Sequence, residues 1–418
     1  MFSIFSNFGP EIPVALFLMG IMGLRAKVWP KASVLIKADA AAIFELIDVQ
    51  HGKCEDWGRT TTLTEMVDPE RGTFRKTYST ALTTGEVRHS SALFSVRQRE
   101  PGKRLEIQRE GLDGKSLNNE LLSQTYELKQ FGEATRLTTT YEWGPRPLLA
   151  QLVGRADLWG GAYRLKALAE TGVADNKAYQ WITAGVAAVT GAASLLAFSL
   201  FLGWVASVML IVALFVHEFG HLLAYRMIGQ PWGRMIFLPF LGAIAIPRLH
   251  YSSQAQVVFS ALMGPGFSLL LAVLCSLYAQ YVDPENTFVV LLGVITILLN
   301  IFNLLPMEPL DGGIALRSVL NKVFGKYARF ALMAIGVAIA ALGFAVSQIL
   351  LIIFGVIAIA MNFRSRSIDA GLASLSRWQV GASLACYFGI IVGYIGLLMS
   401  YKDLLSVLDA VKTVTTSV

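Results

Sequence analysis

The chain has 418 residues, of which 54% are hydrophobic and only 15% charged, with a formal net charge of +6. Soluble globular proteins are about a quarter charged, so this composition excludes an ordinary water-soluble protein and points to an integral membrane protein. The positive excess lies beside apolar runs, which makes it a topology signal and excludes a nucleic-acid partner. The three cysteines are far apart and form no C-x-x-C pair, which excludes a disulfide framework and a cysteine metal site.

Residues 1–30 hold an apolar run from Ile12 to Leu24, followed by Arg25, Lys27 and Lys31. A cleaved signal peptide carries its basic residues ahead of the apolar run, so a retained membrane anchor is expected. Residues 32–172 read as a water-soluble domain. A strand at 33–37 precedes a helix at 40–46, capped by Asp39, with Ile43, Phe44 and Ile47 on one face. Strands follow at 60–66, 73–80, 86–97, 104–109, 122–128 and 135–142, and a long helical pattern runs from Leu148 to Ala169. Turn dipeptides such as Thr84-Gly85, Pro101-Gly102 and Phe131-Gly132 separate the strands. This is an α+β plan. Its element order resembles the helix-grip domains of the START and polyketide-cyclase superfamily (SRPBCC). That resemblance implies a curved sheet around the last helix, able to enclose an apolar ligand; a packed core without a cavity is the alternative.

A polar linker at 174–178 leads into residues 179–400, which hold seven membrane-length candidates. These are 179–199, 204–228, 254–281, 286–305, 329–346, 348–363 and 379–400, with a break expected near Gly343 and Ser347-Gln348. Basic residues follow alternate segments, whereas the 282–286 connection carries Asp283 and Glu285 and no base. If basic loops are cytoplasmic, these charges agree only when 329–363 crosses twice. With the anchor, the expected fold is a polytopic α-helical membrane protein of about eight spans. Both termini, including the 401–418 tail, are then outside, and domain 32–172 is cytosolic. The compact size suggests a bacterial inner (plasma) membrane.

The chemistry centres on Phe215-Val216-His217-Glu218-Phe219-Gly220-His221. Histidines at i and i+4 share one face of a helix, one turn apart. This is the H-E-x-x-H zinc arrangement, in which the glutamate acts as base. The preceding stretch from Gly203 to Leu214 has no charge, and ionisable groups at membrane depth mark functional sites. A catalytic zinc takes three protein ligands, so a third must come from elsewhere. Asp311 is the best placed, in Asn303-Leu304-Leu305-Pro306-Met307-Glu308-Pro309-Leu310-Asp311-Gly312-Gly313, where two prolines end a helix and glycines allow close approach. Glu308, His250 and Asp369 are weaker candidates, and Asp311 also fits a helix cap.

His217-Glu218-x-x-His221 together with Asn303-x-x-Pro306-x-x-Pro309-Leu310-Asp311-Gly312 resembles the site-2 protease family of intramembrane zinc metalloproteases, peptidase family M50. The resemblance covers roughly 179–325. It implies that His217, His221 and Asp311 bind Zn2+ and that Glu218 is the catalytic base. The reaction implied is hydrolysis of peptide bonds in or near transmembrane segments of membrane-protein substrates. Between the two motifs, Gly264-Pro265-Gly266-Phe267-Ser268 is similar to the family's Gly-Pro-x-x-Asn pattern, with Ser268 where asparagine is common. Substrate contacts are therefore expected at Asn303, Gly264, Pro265 and Ser268. The alternatives are a bond from Asn303 to a carbonyl freed by the proline break, and close packing or a kink at Gly264-Pro265. Met235 to Pro247 is too short to span and is broken by Pro239, Gly242 and Pro247. It is expected to form a re-entrant, strand-like loop that pairs with unwound substrate, or else an interfacial loop. Competing functions are a zinc-binding membrane transporter and a ligand-sensing membrane protein with a silent protease core.

Overall fold

The computed structural model describes residues 25–400, apart from 58–59, 113–114, 117–120, 176, 284 and most of 348–371. The expected anchor run, the 401–418 tail, Asp369 and most of the 348–363 span lie outside the described residues. The chain divides into two compact units, residues 1–190 and 191–418.

The first unit is built on antiparallel pairing. Its elements are β1 (Arg25–Ala26), β2 (Lys31–Ile36), α1 (Ala40–Ile47), β3 (Cys54–Asp56), β4 (Thr60–Asp68), β5 (Thr73–Ala81) and β6 (Val87–Glu100). They continue with β7 (Arg104–Leu112), β8 (Lys115–Ser116), β9 (Leu121–Phe131), β10 (Ala134–Trp143), β11 (Arg146–Pro147) and α2 (Leu148–Thr171). Nine of the strands form one sheet in the order β2-β10-β9-β7-β6-β5-β4-β3, with β8 on β7; β1 pairs with β11 apart from it. Period-two alternation decides which face is inward: Ala32, Val34 and Ile36 of β2 are buried while Lys31, Ser33 and Leu35 between them are exposed. The buried face meets Ile43 and Phe44 of α1 and Leu158 and Leu165 of α2. Asp39 caps α1 by accepting the Ala41 N–H at 3.3 Å. Gly132, with φ of 59°, turns β9 into β10 in a conformation that glycine adopts freely.

Asp48, just past α1, is 3% exposed. It accepts the Arg99 Nε–H at 2.9 Å, the Val49 N–H at 3.0 Å and the Gln50 side-chain N–H at 3.0 Å. Burial alone would raise its pKa, but Arg99, Gln50 and Val49 together hold the carboxyl below the ordinary value of 3.8. A carboxylate with a lowered folded pKa contributes stability that is complete above the ordinary carboxylate range and is lost as pH falls through the folded value. Asp48→Ala is expected to lower the unfolding free energy of this unit by about 2 kcal/mol at neutral pH. Denaturant unfolding of the full chain, followed through the sheet's circular dichroism, checks this; the difference should shrink at acidic pH.

The second unit is helical. Helix α3 (Lys177–Met227) begins before residue 191 and continues into it, with Gly203 inside at φ 71° and ψ 170°. Only glycine occupies that region readily, so the two expected segments 179–199 and 204–228 lie in one broken helix. A hairpin follows, β12 (Arg234–Leu238) and β13 (Gly242–Ile246), with Met235 opposite Ala245. Then come α4 (Gln254–Tyr281), α5 (Thr287–Asn303), α6 (Asp311–Phe324), α7 (Ala328–Ala345) and α8 (Arg377–Ser400). Ser253 caps α4 by accepting the Gln256 N–H, and Asn286 caps α5 by accepting the Val289 N–H. Helices α3, α4, α7 and α8 are long and apolar enough to cross a membrane, and α5 is a shorter apolar helix of 17 residues. The core of this unit joins Val258, Leu262, Ile297, Leu304, Val319 and Tyr394, from α4, α5, α6, α8 and the α5–α6 connection.

Candidate metal centre

Helix α3 carries the two histidines one turn apart, and both are buried, His217 at 3% and His221 at 7% exposure. Their rings meet edge to face with centroids 4.9 Å apart. The third group arrives through the break between α5 and α6. The segment from Leu304 to Leu310 turns without helix, and Asp311 opens α6 as its first residue, behind Leu310 at the N-cap. Its Oδ2 lies 3.0 Å from His217 Nε2 and 3.4 Å from His221 Nε2, and the two Nε2 atoms are 3.2 Å apart.

Hydrogen bonds on the far side of each ring decide what these three atoms carry. His221 Nδ1 is 2.7 Å from the Ser260 carbonyl, which can only accept. His217 Nδ1 is 2.8 Å from Asn300 Oδ1, which also can only accept. Each Nδ1 therefore holds a proton, and in a neutral ring each Nε2 presents a lone pair. Asp311 Oδ2 is buried and accepts no hydrogen bond among the described residues. Three lone pairs thus converge in a buried site, an arrangement that repels itself unless a cation sits among them. In a tetrahedral zinc site with ligand distances near 2.0–2.2 Å, neighbouring ligand atoms are about 3.3 Å apart. The observed separations and the donor set of two imidazoles and one carboxylate fit that ion.

Glu218 is also buried, at 4%, and one ligand atom from each of His217, Glu218 and His221 falls within 4.8 Å of the others. Asp311 nevertheless makes the closer set, because its Oδ2 approaches both Nε2 atoms. Glu218 turns toward the hairpin, where the Ala245 N–H of β13 donates to its carboxylate. The Tyr225 hydroxyl, two turns beyond His217 on α3, donates to the Ala245 carbonyl at 3.2 Å. Both polar groups of Ala245 are thereby engaged by α3.

The other expected site positions separate by location. A Cβ on Gly264 would overlap Nε2 and Cε1 of His221, and a Cβ on Gly220 would overlap the Met263 carbonyl. These two glycines let α3 and α4 approach at the metal-facing turn. Pro265 and Ser268 are buried within α4, and Ser268 is fully so. Asn303 ends α5, half-buried. Of the weaker ligand candidates, Glu308 is held by Arg317 at 2.7 and 2.9 Å, and His250 is exposed in its loop.

Residues not singled out in the sequence hold this arrangement. Asn300 supports His217. Tyr387 and Tyr394 of α8 donate to the Leu304 carbonyl at 2.6 Å and to the Pro265 carbonyl at 2.7 Å. The first secures backbone just past the end of α5, and the second holds the Pro265 carbonyl inside α4. A polar residue amid apolar ones was the only signal for Asn300; the tyrosines look like ordinary aromatics of an apolar helix.

Residues 283–345, which span α5, α6 and α7, match the model of Peptidase family M50. The zinc metalloprotease MJ0392 of Methanocaldococcus jannaschii is 26% identical over 121 residues, covering 28% of this chain and 35% of its own. A putative zinc metalloprotease of Synechocystis, sll0528, is 30% identical over 127 residues, covering 30% of this chain and 33% of its own. The matches thus span about a third of the length of each relative. A solved structure, the site-2 protease from Methanocaldococcus jannaschii, is similar over 45% of this chain and 91% of that one, at 20% identity and a TM-score of 0.32.

Gly264→Ala places a methyl group against the His221 ring, so zinc affinity is expected to fall by roughly tenfold or more. Gly266→Ala is the control, since a Cβ there meets only Ile390 Cδ1 at an ordinary 3.5 Å. Competition for zinc against a chromogenic chelator, in detergent, distinguishes them.

Proposed function

We propose that this chain, a member of peptidase family M50, the site-2 protease family of zinc metalloproteases, hydrolyses peptide bonds in or near transmembrane segments of membrane-protein substrates. The observation that carries this reading is the convergence of His217 Nε2, His221 Nε2 and Asp311 Oδ2 beside Glu218, inside apolar helices. In this reading those three residues hold the zinc. When bound, zinc supplies Lewis acidity that polarises the scissile carbonyl and makes water nucleophilic at neutral pH.

The remaining work falls to protein groups. Glu218 takes the proton of the attacking water and passes it to the leaving amine. Its bond from Ala245 supports a base whose carboxylate is pre-oriented, with one lone pair engaged and others free. A helical substrate hides its peptide bonds and must unwind before attack. The β12–β13 hairpin suits an extended substrate, which adds to the β13 edge near Ala243, beyond the Ala245 groups already bonded to α3. We assign Asn303, at the open end of α5, to substrate or oxyanion contact. Gly264, Pro265 and Ser268 act by packing α4 against the metal-bearing turn.

The same reading assigns about eight spans and the 32–172 unit to the cytosolic side on the strength of the basic loops, and the enzyme to a bacterial inner membrane on its compact size. It takes the domains as 1–30, 32–172, 179–400 and 401–418. It also takes the first unit as a helix-grip domain, supported by α2 lying against β2 and β10. A cavity of about 270 Å³ opens between the sheet and α2, lined in part by Trp57, Lys76, Tyr78, Tyr126, Tyr141 and Arg164. Burial pushes the Tyr78 and Tyr141 phenols up to about 12, so both stay protonated donors at neutral pH. An amphiphilic ligand suits this lining better than a wholly apolar one, and its binding gates the protease.

Glu218→Gln is expected to retain zinc and lose cleavage of a transmembrane substrate by at least about a hundredfold. Metal content and cleavage are read on one preparation, and near-normal cleavage by the variant would remove Glu218 as the base. Removal of residues 32–172 is expected to alter activity or substrate choice in cells, read by proteomics of membrane-protein fragments. Unchanged fragments would sink the gating role and leave the protease reading intact.

A further inference from the structure

Helix α5 is apolar along most of its length, yet Asn300 sits within it at 0% exposure. A buried amide at membrane depth is costly unless its groups are satisfied. Here they are, in one orientation only. Asn300 Nδ2 donates to the Thr296 carbonyl at 2.8 Å, one turn back on the same helix. The opposite amide flip would set Oδ1 against that carbonyl, acceptor against acceptor, so the network fixes the assignment. Oδ1 is left facing His217 Nδ1 at 2.8 Å. The Thr296 hydroxyl does not compete, since it donates to the Leu292 carbonyl at 2.7 Å.

We propose that Asn300 is a positioning residue of the metal centre: through Thr296 it presents a fixed acceptor to His217 Nδ1, which locks the ring so that Nε2 faces Asp311 and the metal. The inference rests on His217, His221 and Asp311 being the metal ligands. Side-chain partners that orient a ligating imidazole are known to matter at roughly 10–100-fold in metal affinity. His221 obtains the same service from a backbone carbonyl, Ser260. For His217, α5 supplies the acceptor from a side chain. The acceptor lies 83 residues downstream, on the helix that leads to Asp311, which couples the first ligand to the segment carrying the third.

The test measures zinc affinity by chelator competition on full-length protein in detergent, with the visible absorption of the cobalt(II) form as a second readout. Asn300→Leu removes the acceptor while keeping the branching and number of side-chain heavy atoms, and is expected to weaken zinc 10–100-fold and to shift the cobalt bands. Asn300→Asp keeps an acceptor oxygen toward His217, and as the neutral acid its O–H replaces Nδ2 at the Thr296 carbonyl, so affinity is expected to hold within about threefold of wild type. Wild-type affinity in Asn300→Leu overturns the proposal. So does a tenfold or greater loss in Asn300→Asp, and that arm decides alone if the leucine variant does not fold. His217→Ala separates the two levels. If it binds zinc like wild type, the ligand assignment fails; if it loses zinc while Asn300→Leu does not, only the positioning role fails.

Discussion

Two imidazole nitrogens and one carboxylate oxygen, all bearing lone pairs, are held 3.0–3.4 Å apart in a buried site. Such groups gain strongly from a shared cation because the surrounding medium screens so little. Apolar helices alone would not hold this geometry. Glycines at 220 and 264 remove the side chains that would keep α3 and α4 apart. Prolines between α5 and α6 stop one helix so that the next can begin with Asp311. Acceptors from Ser260 and Asn300 turn each ring so that the correct nitrogen points inward.

Each device meets a separate requirement of burial. Close helix approach supplies contact where lipid offers no hydrophobic drive. Helix breaks free backbone groups, and those groups need partners inside the protein. Tyr387 answers for Leu304, just past the end of α5, while Tyr394 ties α8 to the Pro265 carbonyl inside α4. The far nitrogen of each imidazole is satisfied, and the unshared lone pairs of the two rings and of Asp311 Oδ2 meet at the centre.

Much of this was readable from sequence, for reasons that differ between the units. In the first unit, alternation and turn glycines located every long strand from β4 to β10 to within a few residues. Strands of two or three residues, such as β3 and β8, are too short for alternation to register. In the second unit, the i, i+4 histidines and the proline-flanked Asp311 stood out because ionisable residues are scarce in apolar helices. Asn303 stands in the proline-rich pattern that ends at Asp311, whereas Asn300, three residues before it, belongs to no such pattern. No local pattern links Asn300 to His217, and contacts of that range are fixed by packing. The tie between α8 and the centre was equally hidden, since tyrosine is common in apolar helices. Gly203 was legible as a gap between two apolar runs, but whether the chain there loops or kinks depends on backbone angles that a sequence pattern does not express.

The tyrosine bonds also bear on biosynthesis. The Pro265 carbonyl waits for a hydroxyl 129 residues later in the chain, and the Leu304 carbonyl for one 83 residues later. All four charged or metal-facing residues leave the ribosome before α8 does. The site described here is therefore completed only when the last described helix has been inserted, so that a partly made chain lacks the finished centre.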